Sequence, residues 1–314
     1  MTRSLLFLAA LLASPAKAQA FPVTVQSCDR EITVEAPPRR AVSNDVNLTE
    51  MMLALGLQDR MAGHTGISDA RTVHGPLQAA LAEIPELSPR YPGREVLLGA
   101  NADFYFAGWN YGMSIGGEVT PDRLAPFGIT VYELAESCIH VMEKPRASLD
   151  DLYTDIRNLG AIFGVSERAE ALIAGWRAEL AALSDAIGTG TPPRVFVYDS
   201  GEDTPYTAGR YAMPTALIEA AGGVNIMEDF GKSWAMIGWE EVIARDPEVI
   251  VIVDYGEVTA AQKRAFLTSN PALAHITAIR EDNFVILDYV AATPGPRNIE
   301  AVGLLARAFA GAAE

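Results

Sequence analysis

The residues best suited to hold a ligand gather where apolar runs end. Phe104 to Ala107 is followed by Gly108-Trp109-Asn110-Tyr111-Gly112, and Val195 to Tyr198 leads toward Tyr206, Arg210 and Tyr211. Tyr255 follows Asp254, Tyr289 follows Asp288, and Arg297 lies in Thr293-Pro294-Gly295-Pro296-Arg297-Asn298. Trp and Tyr offer an aromatic face with one polar tip, which suits a broad ligand with scattered polar groups. Arginine adds a planar fork that matches carboxylate or catecholate oxygens. Trp109, Tyr111, Tyr206, Arg210, Trp234, Tyr289 and Arg297 are therefore the expected ligand-binding set. Asp45, Asp254 and Asp288 could act as general bases, but spacing alone does not show it. No Gly-x-Ser-x-Gly elbow, P-loop or His-Glu-x-x-His is present. No catalytic residue is assigned, a binding protein is expected rather than an enzyme, and no cofactor is expected. The histidines are His64, His74, His140 and His275, with no His-rich loop, so no bare-metal site is assigned.

A second pattern is a unit written twice. Arg94-Glu95-Val96-Leu97-Leu98 leads through Ala102-Asp103 into Phe104–Ala107. Trp239-Glu240-Glu241-Val242-Ile243 leads through Arg245-Asp246-Pro247 into Val249–Val253. Each reads as a short helix with an acid at its positive end, a turn and a buried strand. Strand and helix signals alternate on both sides of a helical centre, which implies parallel sheets. Before the centre the strands are Ala41–Ser43, Arg60–His64, Phe104–Ala107 and Ile129–Leu134; after it they are Val195–Tyr198, Val249–Val253 and Phe284–Leu287. In the centre, Ser148 caps a helix with Leu149, Leu152, Ile156, Leu159 and Phe163 on one face, closed by Gly164. Ser166 caps a second helix carrying Leu172, Trp176, Leu180, Leu183 and Ile187, about 33 Å long, enough to join two lobes. The expected fold class is α/β: two parallel-sheet lobes joined by a long linking helix, with a ligand cleft between them. The divisions are a leader over 1–20, a lobe over 21–147, central helices over 148–190 and a lobe over 191–314.

The leader has Arg3, an apolar stretch from Leu5 to Ala13, and Ala18-Gln19-Ala20 as a cleavage site. Nine apolar residues are too few for a membrane span, which needs about 20. A cleaved secretory signal is expected, with a soluble mature protein in a periplasm or outside the cell. Loss of Arg3 and Lys17 takes the formal charge from −16 to −18, which argues against nucleic acid or anionic membrane as partners. Cys28 and Cys138 would most simply pair in an oxidising compartment; two separate thiols, or a soft metal site with His140, are the alternatives.

Several segments carry a family resemblance. Ala36-Pro37-Pro38-Arg39-Arg40-Ala41-Val42 resembles a P-x-R-I-V lead-in to a first strand. Leu48-Thr49-Glu50-Met51-Met52-Leu53-Ala54-Leu55-Gly56 resembles an E-x-L-x-x-L-G helix, and Ala220-Ala221-Gly222-Gly223-Val224-Asn225 an A-G-G-x-N turn. Ser148-Leu149-Asp150-Asp151 resembles the start of the central helices, while Ala100-Asn101-Ala102-Asp103 departs from the usual L-K-P-D. In this order over the whole mature chain, they resemble helix-backbone periplasmic substrate-binding proteins of ABC importers for iron-siderophores, haem and cobalamin. The resemblance implies a small-molecule metal chelate as cargo, a ferric siderophore foremost, with cobalamin or haem as further choices. It implies a monomer that docks on inner-membrane permease subunits through Glu95 and Glu240. Trp109, Tyr206 and Trp234 match pocket aromatics of cobalamin-type binders. A bare zinc or manganese carrier and a secreted α/β enzyme are the alternative readings.

Overall fold

The structure is a computed structural model that describes residues 20–67, 76–184 and 190–312. The expected secretory leader, His74 and the Ile187 end of the long helix lie outside the described residues.

The chain opens with an antiparallel hairpin, β1 (Val23–Ser27) and β2 (Arg30–Val34). The first lobe then runs β3 (Ala41–Asn44), α1 (Val46–Ala54), β4 (Met61–Thr65), α2 (Pro76–Leu81), β5 (Glu86–Ser88), α3 (Arg94–Gly99), β6 (Phe104–Trp109), β7 (Gly112–Met113), α4 (Pro121–Leu124) and β8 (Thr130–Glu133). Its strands pair in the order β5-β4-β3-β6, with β8 and the short β7 both on β6, and every pairing is parallel. All six residues of β6 are buried, as a strand covered on both faces must be.

Two helices follow, α5 (Leu149–Phe163) and α6 (Ser166–Ser184). A reciprocal capping box of Ser148 and Asp151 starts α5, and Gly164 stops it at φ 73°, a left-handed value that glycine adopts without a Cβ penalty. The 19 residues of α6 span about 28 Å. Leu172 and Leu180 pack on the first lobe's core, while Leu180 and Leu183 pack on the second's. One helix is thus shared by two cores.

The second lobe runs β9 (Arg194–Tyr198), β10 (Tyr206–Ala208), α7 (Met213–Ala220), β11 (Val224–Asn225), β12 (Trp234–Met236), α8 (Trp239–Arg245), β13 (Val249–Asp254), α9 (Ala260–Ser269), α10 (Thr277–Arg280), β14 (Phe284–Asp288), α11 (Tyr289–Ala292) and α12 (Asn298–Ala312). Its parallel sheet has the order β11-β9-β13-β14. The sequence reading lacked the antiparallel pair β10–β12, whose strands of three residues are too short to show alternation. This pair carries Tyr206 and Trp234. Cys28 in the β1–β2 turn and Cys138 after β8 form a disulfide with Cα atoms 5.2 Å apart. It joins the hairpin to the first lobe, and neither a free-thiol pair nor a Cys–His metal site applies.

Candidate ligand cleft

Ligands of parallel α/β sheets sit beyond the carboxyl ends of the strands. Here those ends from both lobes border one cavity of about 250 Å³. The first lobe gives it Tyr91, Asn110, Tyr111 and His140. The second gives Asp199, Tyr206, Ser233, Trp234, Tyr255, Tyr289 and Thr293. Asn110 follows β6, Asp199 follows β9, Tyr255 follows β13 and Tyr289 follows β14, so strand order positions the lining.

Two stacked aromatic pairs form walls. Tyr206 on β10 stacks on Trp234 of β12, with ring centroids 5.7 Å apart and planes 23° apart. Tyr255 stacks on Tyr289 at 4.4 Å and 23°. Cross-strand geometry holds the first pair, because Ala208 faces Trp234 and Tyr206 faces Met236 in register. The Tyr91 hydroxyl donates to the Asn110 carbonyl at 2.8 Å and ties the β5 loop to the β6 loop. Asn110 Nδ2 lies 3.2 Å from His140 Nε2.

The electrostatics of the cavity are mild. Burial lowers the pKa of His140, so the ring favours its neutral form. Burial also raises the pKa of Asp199, against the opposing hydrogen bond from Ser200. The phenols of Tyr111 and Tyr289 are pushed well above their ordinary range by burial and stay protonated. Among the described lining residues there is no Lys or Arg.

The sequence-predicted residues divide. Tyr111, Tyr206, Trp234 and Tyr289 line the cavity together. Trp109 does not: it is the last residue of β6, and Asn110 follows it in a left-handed turn at φ 67°. Its indole Nε1 donates to Glu133 at 2.9 Å, and it lines a separate first-lobe cavity with Arg30 and Arg123. Arg210 donates to the Glu228 carbonyl at 2.9 Å and is absent from the lining. Arg297 is also absent from it; its Nε donates to Glu50 at 3.0 Å, an ion pair that crosses from the second lobe to α1 of the first. The expected arginine clamp on the ligand is not formed in this cleft.

The expected ligand-binding set left out Tyr91, Asn110, His140, Asp199, Ser233, Tyr255 and Thr293, although Asn110, Tyr255 and Thr293 stand in the segments it was drawn from. Asp199 was within its reach, since it is the first residue beyond β9, where the strand-end rule points. Tyr91 and Ser233 are placed by loop packing that no local pattern encodes. His64 is 6 % exposed and opens on another cavity, with Glu83 and Glu86.

Glu95 and Glu240 both stand exposed in the first turn of their helices, α3 and α8. Each helix starts after an extended glycine, Gly93 at φ −75°, ψ 165° and Gly238 at φ −84°, ψ 149°. One turn on, Leu98 and Ile243 are 37 % and 39 % exposed, while Leu97 and Val242 between them are fully buried. The duplication seen in sequence is thus a duplication of surface.

Comparison with known proteins agrees with this geometry. A family described as "Periplasmic binding protein" matches residues 127–291. A protein of Halobacterium salinarum named "Cobalamin-binding protein" is 27% identical over 93% of this chain and 75% of its own length. Among solved structures, a periplasmic binding protein from Veillonella parvula is 32% identical with a TM-score of 0.82, covering 93% of this chain and 99% of its own. A periplasmic haem-binding protein from Roseiflexus sp. RS-1 in apo form is 26% identical with a TM-score of 0.69, covering 88% of this chain and 100% of its own. These solved structures share its fold over most of its length, and the chain belongs to the periplasmic binding protein family.

Proposed function

We propose that the protein is the substrate-binding component of an ABC importer and that its cargo is a corrinoid of the cobalamin type. The observation that carries this is the lining of the cleft: five tyrosines and a tryptophan, with neutral polar tips and no described cation. A ferric siderophore or the propionates of haem bring anionic oxygens, and these would meet Asp199 rather than an arginine. A corrin presents a broad apolar ring edged by neutral amides. Such a ring suits the stacked pairs Tyr206–Trp234 and Tyr255–Tyr289. Its amides suit the phenols, Asn110, Ser233 and Thr293. The relative named as cobalamin-binding supports the same choice. At about 250 Å³ the cavity is below the roughly 300–1,000 Å³ that encloses a drug-sized ligand, so it grips part of a corrinoid.

Delivery needs a second surface. We assign it to α3 and α8, where Glu95 and Glu240 carry an exposed apolar neighbour one turn on. A permease surface with a basic residue beside an apolar one would complement each. Export of residues 21–314 into the periplasm as a monomer belongs to the same reading. Native mass spectrometry of protein recovered from the periplasm of its host tests the cargo. A bound cobalt corrinoid is the expected mass, and a bound iron chelate would overturn the choice.

A further inference from the structure

Asp45 is the most unusual residue outside the cleft lining. It lies between β3 and α1 at φ 67°, ψ 160°, backbone that glycine tolerates and other residues adopt only under constraint. It is 5 % exposed. Its Oδ1 accepts from the Val46 amide at 2.7 Å, which caps α1. That duty needs one oxygen, and Ser, Thr or Asn would serve as well. The second oxygen, Oδ2, accepts the Tyr289 hydroxyl at 2.7 Å, and Tyr289 belongs to the other lobe.

The contact is the first of a seam. Two residues on, Asn47 Nδ2 donates to the Pro294 carbonyl at 2.7 Å, and Glu50 then pairs with Arg297. Asp45, Asn47 and Glu50, at the start of α1, thus meet Tyr289, Pro294 and Arg297 along one flank of the cleft. Only the Asp45 contact ends on a residue that lines the cavity, and Tyr289 there is stacked on Tyr255.

We propose that Asp45 is a positioning residue for the ligand site, holding the Tyr255–Tyr289 wall against the first lobe through the Tyr289 phenol. The seam fixes the spacing of the lobes on that flank, and the strained backbone is what lets the carboxylate reach it. The wall is part of the corrinoid site argued above, so its role in affinity rests on that reading.

The same geometry makes the seam respond to acid. Burial raises the Asp45 carboxyl to about 6, against the opposing hydrogen bonds from Tyr289 and Val46. The titratable groups facing it are the phenols of Tyr91, Tyr105, Tyr111 and Tyr289, all pushed above their ordinary range by burial and therefore protonated throughout. A carboxyl raised by burial binds a proton more tightly in the closed seam than after opening exposes it to water, so the seam opens less readily below pH 6 than above it. His140 and Asp199, on the cavity wall, also titrate, but they are unchanged in every variant of Asp45.

Hydrogen exchange of the ligand-free mature protein tests this. Wild-type amides of residues 289–298, corrected for intrinsic rates, should be protected at pH 7.5 and gain several-fold in protection at pH 5. Asp45→Ser keeps a capping oxygen but cannot reach Tyr289; it and Tyr289→Phe should lower protection about fivefold at pH 7.5, the worth of one hydrogen bond. Asp45→Ser, which removes the titrating carboxyl, should show no acid step. Asp45→Asn keeps one oxygen for the Val46 amide and turns an NH2 toward Tyr289 that can donate to the phenol oxygen, a bond without charge, and should stay protected to the same degree at both pH values. Wild-type protection in Asp45→Ser and Tyr289→Phe, or an acid step that persists in Asp45→Asn, would overturn the proposal. Cyanocobalamin titration of the same variants reads the cargo separately. Weaker binding in Asp45→Ser and Tyr289→Phe is expected. No binding by the wild type would overturn the cargo and leave the exchange result to decide the seam.

Discussion

Neutralising Glu136 or Asp155 should flatten an unusual fall in stability with pH. Both acids are buried where the first lobe runs into α5, at 2 % and 0 % exposure. The Glu136 carboxylate accepts from the Met213 amide at the start of α7 in the other lobe. Asp155 accepts the Tyr132 hydroxyl at 2.8 Å and the Ala135 amide at 3.0 Å. Burial raises both carboxyls to about 8, and Asp151 nearby adds to the rise while Lys144 opposes it. Each raised acid binds a proton in the native state that it has released in the unfolded state, so its stabilisation is full at acid pH and lost as pH rises through 8. The buried His64 and the half-buried His140 act in the opposite sense, but only below about pH 6.5, where an unfolded histidine charges. The clean window is therefore pH 6.5 to 8. The two acids share Asp151 and Lys144 as neighbours, so we count one net extra proton, which gives about 1.4 kcal/mol per pH unit. Over the window this is about 2 kcal/mol, or a fall of about 4–8 °C in Tm for a chain of this size. Thermal melts by circular dichroism at constant ionic strength would measure it. Glu136→Gln and Asp155→Asn should each reduce the slope. A flat or rising Tm in the wild type, or an unchanged slope in both variants, would refute the reasoning.

Three further outcomes follow from the geometry. Cys28→Ser with Cys138→Ser opens a link across a sequence separation of 110 and should cost about 4–5 kcal/mol, read by urea unfolding, while thiol labelling of unreduced, denatured wild type should find no free thiol. Glu95→Ala with Glu240→Ala should leave ligand affinity unchanged and reduce uptake into vesicles that contain the cognate permease; lost affinity with intact uptake would reverse the assignment. Arg297→Ala should leave ligand affinity within about twofold and lower stability by about 1–3 kcal/mol, because its carboxylate partner Glu50 is only 17 % exposed.

The parts of the fold that were legible in sequence are those with dense local signals. Ser148 and Gly164 bracket α5 as read, and β9, β13 and β14 fall where their apolar runs lie. The duplicated Glu95 and Glu240 units fold alike because a glycine, an acid, a buried apolar residue and an exposed apolar one recur in each. What stayed hidden depends on distant packing. Arg297 reads as a ligand clamp because its sequence neighbours are loop residues, yet Glu50 lies 247 positions away and captures it. Trp109 and Asn110 are adjacent, and the left-handed turn at Asn110, which no periodicity encodes, separates the strand residue from the one that meets the cleft. The stacked Tyr206–Trp234 pair depends on two three-residue strands that no periodicity can reveal.

The cleft account stands most directly on the Tyr206–Trp234 wall. Calorimetric titration of the mature protein at pH 7.5 with cyanocobalamin, haemin and a ferric hydroxamate should give one site for cyanocobalamin alone. Trp234→Ala should weaken that binding at least about tenfold, from the lost stack and the lost ring area. Tight binding of the ferric hydroxamate or haemin with none of cyanocobalamin, or a Trp234→Ala protein that binds as well as its parent, would contradict the account.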